Sequence, residues 1–345
     1  MERRAFIKTG MLTGAGLMTS GFSFGTSQEP VKKGLRVGII GLDTSHAIAF
    51  TQTLNKENAS PDFGGYKIVA TYPPGSKDIP SSVERIPEYI REVKKFGVEI
   101  VDSIPDLLNK VDVVLLTSND GRPHLEQAIP VFKAGKTVFI DKPMAGSLTD
   151  VYTIFQAAKD FKTPVFSSSS LRYQPNMNDI VNNNIIGRIL CVEAYTPCSI
   201  EPTHPDLYWY GVHGIEPLFA VLGAGCQTVS RVQTPDVEVA TGVWEGDRVG
   251  IFRGMRLNGE GFGNYGGKAI GEKGTKELGG YHGYDPLLKE IVRFFQTGVP
   301  PVTAEETIEI FAFMDAADES KRRGGAAVSI AETKQKALAQ VKKIW

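Results

Sequence analysis

Through the first half of the chain, short apolar runs of strand type alternate with longer stretches whose apolar residues recur at helical spacing. Leu35-Arg36-Val37-Gly38-Ile39-Ile40-Gly41 reads as a buried strand ending in glycine, and residues 45–56 read as the helix that follows. Tyr66 to Tyr72 gives a second strand, Ser82 to Phe96 a helix, and Val98 to Val101 a short third strand. Val111 to Thr117, the helix Leu125 to Ala134 and the strand Thr137 to Ile140 continue the series. Such alternation predicts a parallel sheet with right-handed helical crossovers. Ser147-Leu148-Thr149-Asp150 then reads as a capping box, and Leu148, Val151, Phe155 and Ala158 share one face of the helix it opens.

Beyond Pro164-Val165-Phe166 the pattern changes. Residues 188–196, 226–234, 236–244 and 247–254 read as successive strands with short turns such as Glu245-Gly246-Asp247, which indicates an antiparallel sheet. Helices are expected at 213–222, 284–297 and 303–323, and the glycine-rich stretch 254–280 reads as loop or edge strand. A chain of 345 residues is long for one core. The expected fold class is α/β plus α+β. A doubly wound parallel sheet occupies residues 31–160, an open, mainly antiparallel sheet with helices on one face occupies 161–330, and a tail helix occupies 331–345.

Lys+Arg 38 against Asp+Glu 39 nearly cancel. No basic block is present to neutralise a run of phosphates, which argues against nucleic acid and for a small neutral or weakly charged ligand. After residue 30 no run approaches the roughly 20 apolar residues of a membrane helix, so no span is expected in the mature protein. Arg3-Arg4-Ala5-Phe6-Ile7-Lys8, followed by a glycine-rich apolar run from Met11 to Gly25, reads as a twin-arginine export signal within residues 1–30. That gives a periplasmic location, with cleavage near Ser23 to Ser27; the alternative, an amphipathic first helix, is weakened by its glycines. Cys191, Cys198 and Cys226 lack zinc spacing and suit apolar packing, no metal site is expected, and one disulfide is permitted in an exported protein.

Val138-Phe139-Ile140-Asp141-Lys142-Pro143 ends an apolar strand in an acid, a base and an imino acid. Proline stops the ladder and leaves Asp141 and Lys142 at the carboxyl end, where open α/β sheets hold their ligands. Four further features accompany it: a glycine-ended first strand, the loop Thr117-Ser118-Asn119-Asp120-Gly121-Arg122-Pro123-His124, Ala134-Gly135-Lys136, and Gly211-Val212-His213 opening a helix. Together they resemble the Gfo/Idh/MocA family over roughly residues 35 to 330, with Asp141 standing for the family's usual Glu. The resemblance implies a Rossmann domain that binds NAD or NADP. It also implies a second domain whose large open sheet covers a sugar or cyclitol substrate, and association into homo-oligomers. The implied cofactor set is Gly41, Asp43, Thr44, Ser45, Thr117, Asn119, His124, Asp141 and Lys142.

A dinucleotide fingerprint wants Gly-x-Gly-x-x-Gly, for a tight turn, close approach of the pyrophosphate and a closely seated helix. Residues 41–46 read Gly-Leu-Asp-Thr-Ser-His and keep the first glycine only. A carboxylate at Asp43 opposes a pyrophosphate, unless it serves as the helix N-cap; Thr44, Ser45 and the helix N-terminus remain as donors. The second strand ends in Thr71-Tyr72-Pro73-Pro74-Gly75-Ser76-Lys77, with no acid for the adenosine ribose, although Ser76 and Lys77 suit a 2′-phosphate.

Oxidising a hydroxyl needs a base near it and a cation for the developing alkoxide. Lys142 suits the second role and His213 the first. The family's Asp four residues before this His is Trp209 here, so Glu216, one turn after His213, is the candidate orienting carboxylate if it faces the same way. Arg172, Tyr173, Tyr208, Trp209 and Tyr210 form the candidate substrate surface, with core or interface packing as the alternative for the aromatics. Packing between domains is the alternative for His213, and His46 and His282 are assigned to packing. The sequence thus reads as an exported NAD(P)-dependent oxidoreductase acting on a hydroxyl of a sugar, glycoside or cyclitol, with a tightly bound, recycled cofactor. The alternative is a non-redox carbohydrate lyase or sugar-binding protein that kept the fold.

Overall fold

The computed structural model describes residues 34–256 and 264–345, so the export signal expected at 1–30 lies outside it. The first part of the chain runs β1 (Arg36–Ile40), α1 (Ser45–Asn55), β2 (Lys67–Tyr72), α2 (Pro80–Lys94), β3 (Glu99–Ile100), α3 (Ile104–Leu108), β4 (Val113–Leu116), α4 (His124–Lys133), β5 (Val138–Ile140), α5 (Leu148–Asp160) and β6 (Val165–Ser167). These strands form one six-stranded parallel sheet in the order β3-β2-β1-β4-β5-β6. The order reverses between β1 and β4, which opens a crevice at the carboxyl ends of those two strands. Short hydroxyl side chains set the helix starts: Thr44 caps α1 and Ser147 caps α5, accepting from Ala47 N and Asp150 N. Thr44, rather than Asp43, is therefore the cap of α1.

Alternation along the strands divides the apolar residues between two cores. Ile40, Val114, Leu116, Val138 and Ile140 pack on one side of the sheet with α4 and α5. Val37, Ile39, Val113, Leu115, Phe139 and Phe166 pack on the other.

The second part runs α6 (Met177–Val181), β7 (Ile189–Pro197), α7 (Val212–Leu222), β8 (Cys226–Gln233), β9 (Val237–Trp244), β10 (Arg248–Met255), β11 (Gly266–Gly271), β12 (Gly274–Glu277), α8 (Asp285–Thr297), α9 (Ala304–Arg322), β13 (Val328–Ser329) and α10 (Ile330–Leu338). Its seven strands order as β12-β11-β7-β10-β9-β8-β13. The pairing is antiparallel except between β7 and β10, which run parallel because α7 intervenes and β7 ends up between β10 and β11. Helices α7 and α9 lie against this sheet. The β11–β12 hairpin, from the glycine-rich stretch, forms its edge.

Two features depart from the boundaries read in the sequence. The parallel sheet continues past residue 160 to take in β6. Helix α8 leaves the second sheet and closes the first: Leu287, Leu288, Ile291, Val292 and Phe294 join the core of Val37, Ile39 and Phe166. Phe294 meets Phe166 edge-on with centroids 4.8 Å apart, and Phe295 stacks on Tyr66 at 6.1 Å. Burying each such side chain stabilises by about 1.5–3 kcal/mol. All three cysteines are free thiols.

Candidate active site

The crevice at the β1/β4 switch point opens into a cavity of about 290 Å³ beneath the second domain. Lys142, two residues beyond β5, projects its ammonium 5.8 Å over the ring of Tyr210, and no protein atom among the described residues hydrogen-bonds Nζ. Burial depresses the Lys142 pKa against the opposing pull of Asp141 and Asp43. Asp141 itself is fully buried. Its Oδ1 accepts from the Lys142 backbone N at 2.8 Å and its Oδ2 lies 2.5 Å from His46 Nδ1. Burial works to raise this carboxyl, but His46 and Lys142 outweigh it and hold the pKa below the ordinary carboxylate value.

His213, in the first turn of α7, faces the same cavity. Its Nδ1 lies 2.7 Å from Ser169 Oγ. Burial, the Lys142 charge and then His46 push its pKa well below the ordinary imidazole value, so His213 is a neutral ring. Glu216 does not orient it. That carboxylate accepts from Ser168 Oγ at 2.5 Å, Ser169 N at 2.7 Å and Arg172 Nε at 2.9 Å, and reaches His213 only through Ser169. Burial raises the Glu216 pKa, with Arg172 opposing.

Trp209 and Tyr210 line the cavity as expected for substrate residues, joined by Tyr265, Tyr281 and Tyr284. The other three expected contacts lie elsewhere. Tyr208 is fully buried and donates to Asp315 Oδ1 at 2.7 Å, a core role. Arg172 is enclosed between Glu216 and Glu306, and with Tyr173 it borders a separate surface groove beside Glu290 and Arg293. Arg172 is thus engaged with two carboxylates and does not line the cavity of Lys142 and His213.

On the nucleotide side, Gly41 has φ +83°, and a Cβ there would collide with the Ser118 backbone. Glycine is required for that close approach. Thr44, Ser45 and Asn119 line the cavity. Thr117 Oγ1 donates to Gly41 O at 2.8 Å and so ties β4 to the loop after β1. His124 is fully buried between the Ser118 and Met144 carbonyls, too deep to meet a nicotinamide. Asp43 points away from the cavity: its carboxylate accepts from Ser82 Oγ at 2.5 Å and from Asn119 N at 3.0 Å, and burial raises its pKa. Gly75 covers it so closely that a Cβ would strike the carboxylate. Ser76 then bonds Asp120, and Arg122 joins Asp120 to Asp78. His204, from the loop after β7, closes on Asp120 at 3.0 Å. The loops after β2 and β4 are thus stitched together by the chain's own polar groups.

His46 was not singled out by its sequence context. It stands at the third fingerprint position, as Asp43 stands at the second, and that register is the signal that places both beside the groove. Arg85 and Tyr89 of α2 also reach the rim.

A 3-2-1-4-5-6 parallel sheet, a lysine at the carboxyl end of β5 and an open second sheet define a two-domain protein built on a dinucleotide-binding fold. Residues 35–168 match the model of the Gfo/Idh/MocA oxidoreductase family, described as an NAD-binding Rossmann fold. A myo-inositol 2-dehydrogenase from Thermotoga maritima is 31% identical over 132 residues, 36% of this chain and 38% of that protein. The sequence match thus spans well under half of that relative. A probable dehydrogenase from Thermotoga maritima superimposes with a TM-score of 0.70 at 19% identity, over 87% of this chain and 100% of that one. The scyllo-inositol dehydrogenase of Lactobacillus casei, solved with NAD(H) and scyllo-inositol, superimposes at 0.67 and 17% identity, over 87% and 100%.

Tested against these residues, NAD fits in part. Gly41 and the N-terminus of α1 with Thr44 and Ser45 suit its pyrophosphate, and Asn119 and Lys142 suit its nicotinamide end. The adenosine end does not fit the conformation described, because the Asp43 and Asp120 networks occupy its path.

Proposed function

We propose that the protein is an oxidoreductase acting on a hydroxyl of a sugar, glycoside or cyclitol, with NAD(P) as the acceptor that its family implies. The observation that carries this reading is the convergence of Lys142 and His213 on one interdomain cavity at the sheet's switch point. About 290 Å³ suits a single sugar or inositol ring. Aromatic faces from Trp209, Tyr210 and Tyr265 meet the ring's C–H surfaces. The Lys142 ammonium stabilises negative charge developing on the reacting oxygen, where low dielectric strengthens its effect. Neutral His213 hydrogen-bonds a neighbouring hydroxyl. Dinucleotide entry on this reading requires the loops after β2 and β4 to part.

Export is part of the proposal and rests on Arg3-Arg4 and the apolar run behind them. Outside the cytoplasm a nicotinamide would have to be carried in and regenerated in place. Self-association through the open second sheet is likewise proposed from the family resemblance. A second reading, a non-redox lyase or sugar-binding protein, is favoured by the closed adenosine path.

The test is a titration of purified protein with NAD(H) and NADP(H) by calorimetry, followed by a panel of cyclitols, hexoses and glycosides monitored by reduced-nicotinamide absorbance. Nucleotide binding with polyol-dependent reduction supports the first reading. Polyol binding with no nucleotide binding would replace it by the second.

A further inference from the structure

The residue at the family's third fingerprint glycine has become part of the reaction site. We propose that His46, oriented by Asp141, is the general base that takes the substrate's hydroxyl proton. This rests on the cavity being a polyol site, as proposed above.

Three observations carry it. First, His46 Nδ1 is held 2.5 Å from a fully buried carboxylate, so in the neutral ring the proton sits on Nδ1 and the lone pair on Nε2. Second, His46 lines the cavity together with Lys142 and His213, and no group among the described residues hydrogen-bonds its Nε2. The Tyr284 ring meets the imidazole edge-on at 4.4 Å and fixes its plane. Third, no carboxylate among the described residues lines the cavity, and the competing imidazole is unsuited to the task. His213 has a serine, not an acid, on Nδ1, and burial beside Lys142 resists its protonation.

The proton transfer balances within the site. The substrate O–H bond breaks, an N–H bond forms at His46 Nε2, the imidazolium is compensated by Asp141, and the oxygen is left against Lys142. His46 is the catalytic residue in this scheme and Asp141 a positioning residue. Among the described residues, the charged and titratable groups around His46 are Asp141 and Lys142 just beyond β5, His213 from α7 and Tyr284 before α8, with Arg85, Tyr89, Tyr210, Tyr265 and Tyr281 on the same cavity.

Two arms test it on the full chain. Nitrogen-15 NMR of histidine-labelled protein, assigned with His46→Gln, should give His46 a protonated Nδ1 with a strongly downfield proton and an unprotonated Nε2. Asp141→Asn should abolish the downfield proton while circular dichroism stays unchanged. In the kinetic arm, with the best polyol from the panel and NAD+, His46→Gln should lower kcat by about 10²–10³-fold with KM little changed, and should erase the acidic limb of the pH profile. Asp141→Asn should lower kcat less and move that limb, and Asp141→Glu should recover part of the loss. A protonated Nε2 in the resting protein would overturn the proposal whether or not any polyol is turned over. So would a His46→Gln variant with wild-type kcat and pH profile. Failure of every polyol alone leaves the NMR arm to decide the dyad and counts against the proposed function instead.

Discussion

Removing the charge of Asp43 while keeping its shape tests how far that residue controls nucleotide access. Asp43→Asn can still accept from Asn119 N and meet Ser82 Oγ, so the stitching between loops survives. A phosphate charge about 5 Å from an ionised carboxylate, at an effective dielectric of about 20, is opposed by about 3 kcal/mol. That corresponds to about a 150-fold weakening of affinity. NAD(H) should therefore bind Asp43→Asn at least tenfold more tightly than wild type in an isothermal titration at low salt. The variant also has an internal control. Burial raises the Asp43 carboxyl, so the fold binds its proton more tightly than the unfolded chain does. That contribution to stability is full below the ordinary value of about 4 and is lost as pH rises through the folded value. The asparagine variant should thus gain on wild type in melting temperature as pH climbs through this range. Equal affinities for NAD(H), together with the expected stability trend, would refute the electrostatic account of the loop.

Three further outcomes follow from the site and its supports. Lys142→Met should keep the fold, since Nζ has no hydrogen-bond partner among the described residues, and should lower kcat by about 10²–10³-fold in the polyol assay. Wild-type turnover would remove Lys142 from the chemistry. Glu216→Ala leaves Arg172 enclosed with one carboxylate instead of two and should destabilise by about 3 kcal/mol, read as a lowered urea midpoint; an unchanged midpoint would show the network to be dispensable. Asp120 is held below the ordinary carboxylate value: burial works against this, but bonds from His204, Arg122 and Ser76 prevail. A depressed acid stabilises the fold above its unfolded value and loses that contribution as pH falls. Asp120→Asn should therefore flatten the stability profile below about pH 4, and a profile parallel to wild type would exclude the bridge as a stabilising element.

The parallel sheet was legible because its strands are continuous apolar runs and its helices carry one apolar stripe each. Lys142 was legible for the same reason: Pro143 marks where the strand must stop. The parallel pairing of β7 with β10 was not, because strand neighbours are chosen by long-range packing that short turns do not encode. Arg172 and Tyr208 looked like ligand groups because charge and hydroxyls suggest contact with water or substrate. Their partners, Glu216, Glu306 and Asp315, lie 44, 134 and 107 residues away, beyond any local pattern. His46 was misjudged because a histidine on a helix reads as packing until Asp141, 95 residues on, is brought against it.

The return of α8 to the first sheet bears on how the protein is made. One side of the dinucleotide-type fold, packed in part by Ala47, Phe50 and Leu54 of α1, stays incompletely covered until Leu287 to Phe295 have been synthesised, long after the family-matched residues 35–168 have left the ribosome. A fragment ending at residue 168 would leave Phe166 without its partner Phe294 and this core only partly covered, and should aggregate. The nascent chain must therefore hold its own first domain unfinished, and the lobe above the cavity also delivers the piece that completes the lobe beneath it.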